Sequence, residues 1–288
     1  MQLKTKFFRS LKQGAWRFVA NARGRPIPRV VAAGCERYLA AYSNTRSHLI
    51  EHDGELRILK ALGHARTCVL FDVGANVGEW TMAAAAIFPG AVIHAFEPVS
   101  TTAEMLRSST TAAGLAARVI VEQRGMSDAV GTAEISVRSF SPNSSILDAP
   151  GADNAETIQL STLDEYCSDA GIEKVDFLKI DTEGWDYRVL LGASKLLEGA
   201  RIDVIQFEYG AWALETRFLL KDFFELLESA GFVVGKIYPR SVDFGPYDRR
   251  LEDFAGLNYL AVRHNRRELI SVPASTRPPR GRRSRSPS

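Results

Sequence analysis

From residue 67 onward, short apolar runs alternate with longer stretches of helical period, and glycine or proline marks most of the junctions. No other feature restricts the fold as much. Strands that alternate with multi-turn helices return to the same sheet edge, which builds a mainly parallel sheet with helices on both faces. The strand runs are CVLFDV (68–73), AVIHAF (91–96), RVIVEQ (118–123), DFLKI (176–180), IDVIQFE (202–208), FVVGKIY (232–238) and LNYLAVR (257–263). Helical period covers 78–88, which stops at Pro89, and 101–114, which ends at Gly114. It also covers about 186–197 and 219–231. Residues 125–150 read as turns plus one strand, because 131–138 alternates with period two. The expected fold is α/β: a doubly wound, Rossmann-like, mainly parallel seven-stranded sheet. No internal repeat is visible.

Upstream, residues 3–19 have the period of an amphipathic helix. Leu3, Phe7, Phe8, Leu11, Ala15, Phe18 and Val19 share one face, and Lys6, Arg9, Lys12 and Arg17 the other; Lys4 intrudes on the apolar side and Gly14 weakens the helix. GRPIP (24–28) is a breaker, and further helices are expected over about 29–42 and 54–62. The end, STRPPRGRRSRSPS, is low-complexity and expected to be disordered. Three parts follow: a basic helical extension (1–62), an α/β domain (63–265) and an Arg/Ser/Pro-rich tail (266–288).

Charge follows the same division. Residues 1–40 hold nine basic side chains and one acidic (+8), and residues 263–288 hold eight and one (+7). Residues 41–262 keep 19 bases and 32 acids, for −13, inside a chain of net charge +2. A basic amphipathic helix suits an anionic membrane surface; packing on its own domain or on a second subunit is the plainer reading. With 45% apolar and 24% charged residues the chain is neither disordered throughout nor fibrous. It has no 18-residue apolar run and no secretory apolar core, so a cytoplasmic protein is expected, with peripheral membrane contact as an option. Cys35, Cys68 and Cys167 are widely spaced and form no CxxC, which fits a reducing compartment without zinc or disulfide framework.

Four constellations carry chemistry. In the first, Asp72, Gly74, Asn76 and Gly78 form DxGxNxG between a strand and a helix, where glycines let a ligand approach the backbone. Asn76 stands where the dinucleotide fingerprint needs its second glycine. Taken alone, such a turn is often only a tight connection. Glu97-Pro98 closes the next strand about 20 residues on, where an acid accepts ribose hydroxyls and disfavours a 2′-phosphate; a solvated loop carboxylate is the bland alternative. Asp181 and Glu183 leave the fourth strand in KIDTEGWD, and Gly184 permits the turn that follows. Close like charges raise one pKa and make a base, whereas a plain helix cap needs no such cluster, although it suits Asp186. Glu208 ends the fifth strand at the same sheet edge, as a substrate contact, a metal ligand or a polar rim.

With Leu163-Asp164 and Leu257-Asn258, these segments resemble the FkbM family of S-adenosylmethionine-dependent methyltransferases. DVGANVG, FEP, TLD and KIDTEG stand in the family's order and spacing, across about residues 67–263. The resemblance implies a class I methyltransferase fold and, usually, O-methylation of hydroxyls on glycans or natural products. It assigns Asp72, Gly74, Asn76 and Gly78 to the methionine end of the cofactor and Glu97 to its ribose. Ser127 and Asp128 fall near the adenine, and Asp181 and Glu183 beside the transferred methyl. Asp186 departs from the family's more usual glutamate.

The expected function is methylation of a hydroxyl on a small molecule or glycan, with Asp181, helped by Glu183, as base or orienter. Methylation of nitrogen, or of a protein or RNA docked on the basic ends, is the alternative enzyme. A non-catalytic binding module is the alternative from another class. Nucleic acid is not the expected partner: no NPPY or DPPY run and no Pro-Cys nucleophile is present. The five histidines lie outside the four constellations. A metal-free site is expected over one in which Asp181, Glu183 and Glu208 bind a divalent ion.

Overall fold

The computed structural model describes residues 13, 14, 16–45, 50–63, 68–136, 155–256 and 258–269. It divides after Arg46 into two compact units. In the first, α1 spans Pro26–Tyr42, three residues earlier than expected. The GRPIP breaker opens a helix here, because proline at the first helical position lacks only an N–H that has no partner there anyway. No residue of α1 is buried; Ile27, Val30, Val31, Tyr38 and Tyr42 are exposed. Of the amphipathic helix expected over 3–19, residues 13, 14 and 16–19 are helical, while residues 3–12 and 15 lie outside the described residues.

The second unit begins with α2 (Ile50–Asp53) and α3 (Glu55–Leu62). Residues 50–62, read from the sequence as extension, thus fall with the sheet. Ile58 and Leu59 of α3 are fully buried in its core. The chain then builds β1 (Val69–Val73), α4 (Glu79–Ile87), β2 (Val92–Phe96), α5 (Ser100–Ala112) and β3 (Val119–Glu122). After β4 (Gly125–Met126), β5 (Gly131–Ser136), β6 (Ala155–Ser161) and α6 (Leu163–Asp169) come β7 (Val175–Ile180), α7 (Asp186–Leu191) and α8 (Ser194–Glu198). β8 (Ile202–Glu208), α9 (Ala213–Thr216), α10 (Leu220–Ser229), β9 (Phe232–Tyr238), β10 (Ser241–Phe244) and β11 (Asn258–Arg263) complete the unit.

The main sheet runs β10-β9-β11-β8-β7-β1-β2-β3. Strands β3, β2, β1, β7 and β8 are mutually parallel, and β11 inserts antiparallel between β8 and β9. All seven expected strands are present. The eighth, β10, folds back on β9 through a two-residue turn. Gly235 lets it approach: a Cβ there would lie 2.8 Å from both Val242 and Phe244. β4, β6 and β5 form a separate small sheet, of which the sequence announced only β5. The expected helix over 186–197 is broken into α7 and α8 at Gly192-Ala193, and glycine is needed at 192 because a Cβ there would lie 1.9 Å from the carbonyl oxygen of Ser127.

Strand alternation sends apolar side chains to both faces, which is why the strands read as continuous apolar runs. Phe71, Leu178, Ile205 and Phe207 meet α6, α7, α8 and α10 on one face. Leu70, Phe177, Val204 and Leu260 meet α3 and α4 on the other. The parallel strands therefore open their C-terminal ends along one edge, where loops carry polar groups.

Candidate functional site

The glycine turn sits at the end of β1, the middle of the parallel strands. Gly74 and Ala75 donate N–H to the Phe96 carbonyl at 3.0 Å each, tying the turn to the end of β2. Gly74 is left-handed (φ 82°), and a Cβ there would lie 1.8 Å from the carbonyl oxygen of Asp181. Glycine is required at 74 because the first and third motifs touch backbone to backbone. Gly78, also left-handed, leaves room for Leu106. Asn76 adopts φ 49°, a strained value for a residue with a Cβ.

Glu97 is buried, and its two oxygens accept N–H from Asn76 (2.9 Å) and Val99 (3.0 Å). Burial pushes its carboxyl up to about 7, against these two bonds. Each oxygen keeps a lone pair for a further donor. Pro98 follows, half-buried. Asp72 is fully buried; its Oδ2 accepts from Thr81 Oγ1 (2.6 Å), while Oδ1 has no hydrogen-bond donor. Burial raises its pKa too.

The acids after β7 stand differently. Lys179, buried in β7, places its ammonium 2.9 Å from Asp181 Oδ2 and 3.7 Å from Asp72 Oδ1. Burial disfavours that charge, but Asp181, Asp72 and Glu55 outweigh it and hold the ammonium protonated far into the alkaline range. Asp181 itself is over a third exposed. Glu183 has a left-handed backbone (φ 52°) and is pushed up to about 7, by burial first and then by the Asp181 and Asp186 charges. A bond from the Trp212 side chain opposes this.

Glu208 is driven well above the carboxylate range by burial, then by Asp181, Asp186 and Glu183, and shares a hydrogen bond with Asp181. The three sequence-designated catalytic acids thus meet. Asp186 pins them: it accepts from Thr182 N (3.2 Å) and Oγ1 (2.8 Å) and from Glu208 N (2.9 Å). An open cleft lined by Asp186 and Glu208 is walled by Tyr187, Tyr209, Trp212, Phe218 and Phe223. Residues 209–218 supply several of these walls.

Ser127 and Asp128 join this group. Trp185 Nε1 donates to Ser127 Oγ (2.9 Å), and Arg188 pairs with Asp128 at 2.8 Å while stacking on Trp185. Asp164 of the TLD segment has a structural task, accepting N–H from Lys195 (2.8 Å) and Leu196 (3.0 Å) at the start of α8. His94, buried against Tyr166 and held below its usual pKa by burial, stays in the core. Among the described residues, no group of three or more His, Cys, Asp or Glu has metal-holding geometry.

Two contributors escaped the sequence reading. Lys179 lay inside a quoted motif but received no role, since a lysine in a strand reads as an edge residue until register shows it between two carboxylates. Glu55 comes from a helix assigned to another part of the chain. Its Oε1 accepts from Asn258 Nδ2 at 2.5 Å, and burial pushes it up to about 8. Only the acid-leucine start of α3 hinted at it.

The sequence matches the family described as "Methyltransferase FkbM domain" over residues 72–234, more than half the chain. The 31-O-demethyl-FK506 methyltransferase FkbM of Streptomyces tacrolimicus is 29% identical over a stretch covering 43% of this chain and 58% of that protein, so the chain spans little over half the relative's length. A structure of a methyltransferase FkbM from Methylobacillus flagellatus is 16% identical, covering 68% of this chain and 44% of that one, with a TM-score of 0.46. A SAM-dependent O-methyltransferase from Thermotoga maritima is 15% identical, covering 72% and 63%, with a TM-score of 0.37.

Proposed function

We propose that this chain, which belongs to the FkbM family of methyltransferases, moves a methyl group from S-adenosylmethionine to a hydroxyl oxygen of a small molecule or glycan. The observation that carries the choice of oxygen is the convergence of Asp181, Glu183 and Glu208 beside the glycine turn. An alcohol keeps its proton at neutral pH, so an attacking oxygen needs a proton acceptor held close to it.

The residues fit the cofactor. Glu97 keeps lone pairs for two hydroxyls, and a Cβ at Gly74 or Gly78 would fill the turn that meets the cofactor. When bound, S-adenosylmethionine supplies a sulfonium methyl open to in-line attack. Ser127 and Asp128, braced by Trp185 and Arg188, are the residues proposed for the adenine side.

The acids divide the remaining work. Asp181, held 2.9 Å from the Lys179 ammonium, orients the acceptor hydroxyl. Glu183, poised near neutrality, takes the proton. This reverses the sequence-level emphasis, in which Glu183 tuned Asp181. Glu208 hydrogen-bonds Asp181 and narrows its orientation. The aromatic walls of the cleft support a ring-bearing acceptor.

Two further proposals concern placement. Cys35, Cys68 and Cys167 are free thiols, which supports a reducing compartment such as the cytoplasm. Among the described residues no helix is long and apolar enough to cross a membrane. The basic, amphipathic residues 1–20 support peripheral membrane attachment or self-association.

Calorimetry with S-adenosylhomocysteine and NADH, followed by transfer of isotope-labelled methyl to a panel of hydroxyl, amine, peptide and RNA acceptors, tests the reading. Homocysteine-nucleoside binding with label in an ether is expected. NADH binding alone, or label confined to nitrogen, overturns it.

A further inference from the structure

Strand register lines up a polar row on the face of the sheet that α3 covers. Asp72, Lys179 and Gln206 are direct partners across β1, β7 and β8. They continue the apolar row of Leu70, Phe177 and Val204 one pleat toward the C-terminal edge. Asn258 pairs with Glu208 one pleat further. All of these but Glu208 are buried.

Glu55 is set down on this row by its backbone. Gly54 has φ 110°, and a Cβ there would lie 2.5 Å from the Tyr238 carbonyl oxygen, so the start of α3 presses directly on the end of β9. Glu55 N donates to Asp53 Oδ1 at 2.8 Å, and Ile58 and Leu59 anchor the next turn. The carboxyl is thereby buried with Asn258 Nδ2 at 2.5 Å; Gln206 Nε2 donates to Asn258 Oδ1 at 3.2 Å, and the Gln206 side chain also bonds to Glu55. The charged groups that act on it are Lys179, which favours its ionised form, and Asp53 and Asp181, which oppose it. A buried carboxyl at this position costs stability that an apolar residue would not. Such a cost is typical of groups that serve a site.

We infer that Glu55 is a positioning residue: with Asn258 and Gln206 it fixes the Lys179 ammonium between Asp72 and Asp181, so that the acid of the glycine turn and the acid at the end of β7 share one buried cation. The consequence for turnover rests on the methyl-transfer reading above; the consequence for Lys179 does not.

The test uses the full chain labelled with ¹⁵N-lysine, with the Lys179 Nζ resonance assigned by its loss in Lys179→Met. Glu55→Gln keeps side-chain size and an acceptor for Asn258 but removes the charge. A folded Glu55→Gln with a displaced Lys179 Nζ signal and faster Nζ proton exchange is the expected result. An unchanged Lys179 signal overturns the inference and leaves Glu55 as a helix start only. If Glu55→Gln does not fold, Asn258→Ala removes the donor without altering the α3 sequence, and the same two outcomes decide. Absence of S-adenosylhomocysteine binding by the wild-type chain sinks the functional reading alone, because the Nζ signal reports without cofactor.

Discussion

The two acid groups on the sheet edge are built on opposite principles. At the glycine turn, Glu97 spends both oxygens on backbone N–H groups and Asp72 takes a hydroxyl from Thr81. These acids are mainly hydrogen-bonded. After β7, Asp181, Glu183, Asp186 and Glu208 crowd together, with the Lys179 ammonium 2.9 Å from Asp181 Oδ2. These acids are electrostatically opposed. Burial brings Glu97 and Glu183 alike to about 7; what differs is that backbone N–H groups hold Glu97 in place, whereas Glu183 stands among like charges. The edge thus separates a part suited to binding from a part suited to proton transfer, joined where Gly74 touches Asp181.

Substitutions can break that contrast. Glu183→Gln is expected to lower turnover by roughly 10²–10⁴-fold, the usual share of general base catalysis, with S-adenosylhomocysteine affinity unchanged. Near-normal turnover with the true acceptor would return Glu183 to a turn-forming role. Lys179→Met leaves Asp72 without its cation and is expected to lower stability by about 3–5 kcal/mol, read from urea midpoints. No loss of stability would mean that Asp72 is already neutral. Glu97→Ala is expected to weaken S-adenosylhomocysteine binding by about 1.5–3 kcal/mol in calorimetry while sparing the pKa of Glu183.

Acidity sharpens the contrast further. Glu183 must be ionised to accept a proton, so kcat/KM of the wild type should rise with pH through about 7. Glu97 must be ionised to accept two hydroxyls, so nucleoside affinity should rise over the same range. Stability should move the other way. Glu97, Glu183 and Glu55 have raised folded pKa values, so the fold is favoured by protons below their unfolded pKa near 4.5 and loses that contribution as pH climbs through 7 to 8. A denaturation midpoint that rises from pH 5 to 8 would contradict this. Deleting residues 1–20 should have the smallest effect on the edge: unchanged nucleoside affinity, with any change confined to liposome flotation and sizing.

Much of this architecture was legible because the strands are buried on both faces. IDVIQFE and FVVGKIY match β8 and β9 to the residue. The glycine turn and Glu97 were legible for a related reason, since their spacing is set by one strand–helix–strand unit. β6 was not, because AETIQLS alternates weakly and pairs only within a small sheet. Glu55 was hidden by distance: it meets Asn258 across 203 positions, and nothing local in GELRILKAL distinguishes a site acid from a helix-starting acid. The roles of Asp181 and Glu183 needed the Lys179 ammonium, whose direction depends on register.

The placement of β11 has a consequence for how the protein is made. Among the described residues it is the last strand in chain order, yet it lies inside the sheet between β8 and β9. Until residues 258–263 leave the ribosome, β8 and β9 each present an open row of backbone donors and acceptors, flanked by apolar side chains. The nascent chain must therefore hold a gap in its own sheet and fill it at the end. A ribosome-stalled chain lacking β11 should be prone to pairing with its neighbours, and a chaperone that shields β8 and β9 should matter most in that interval.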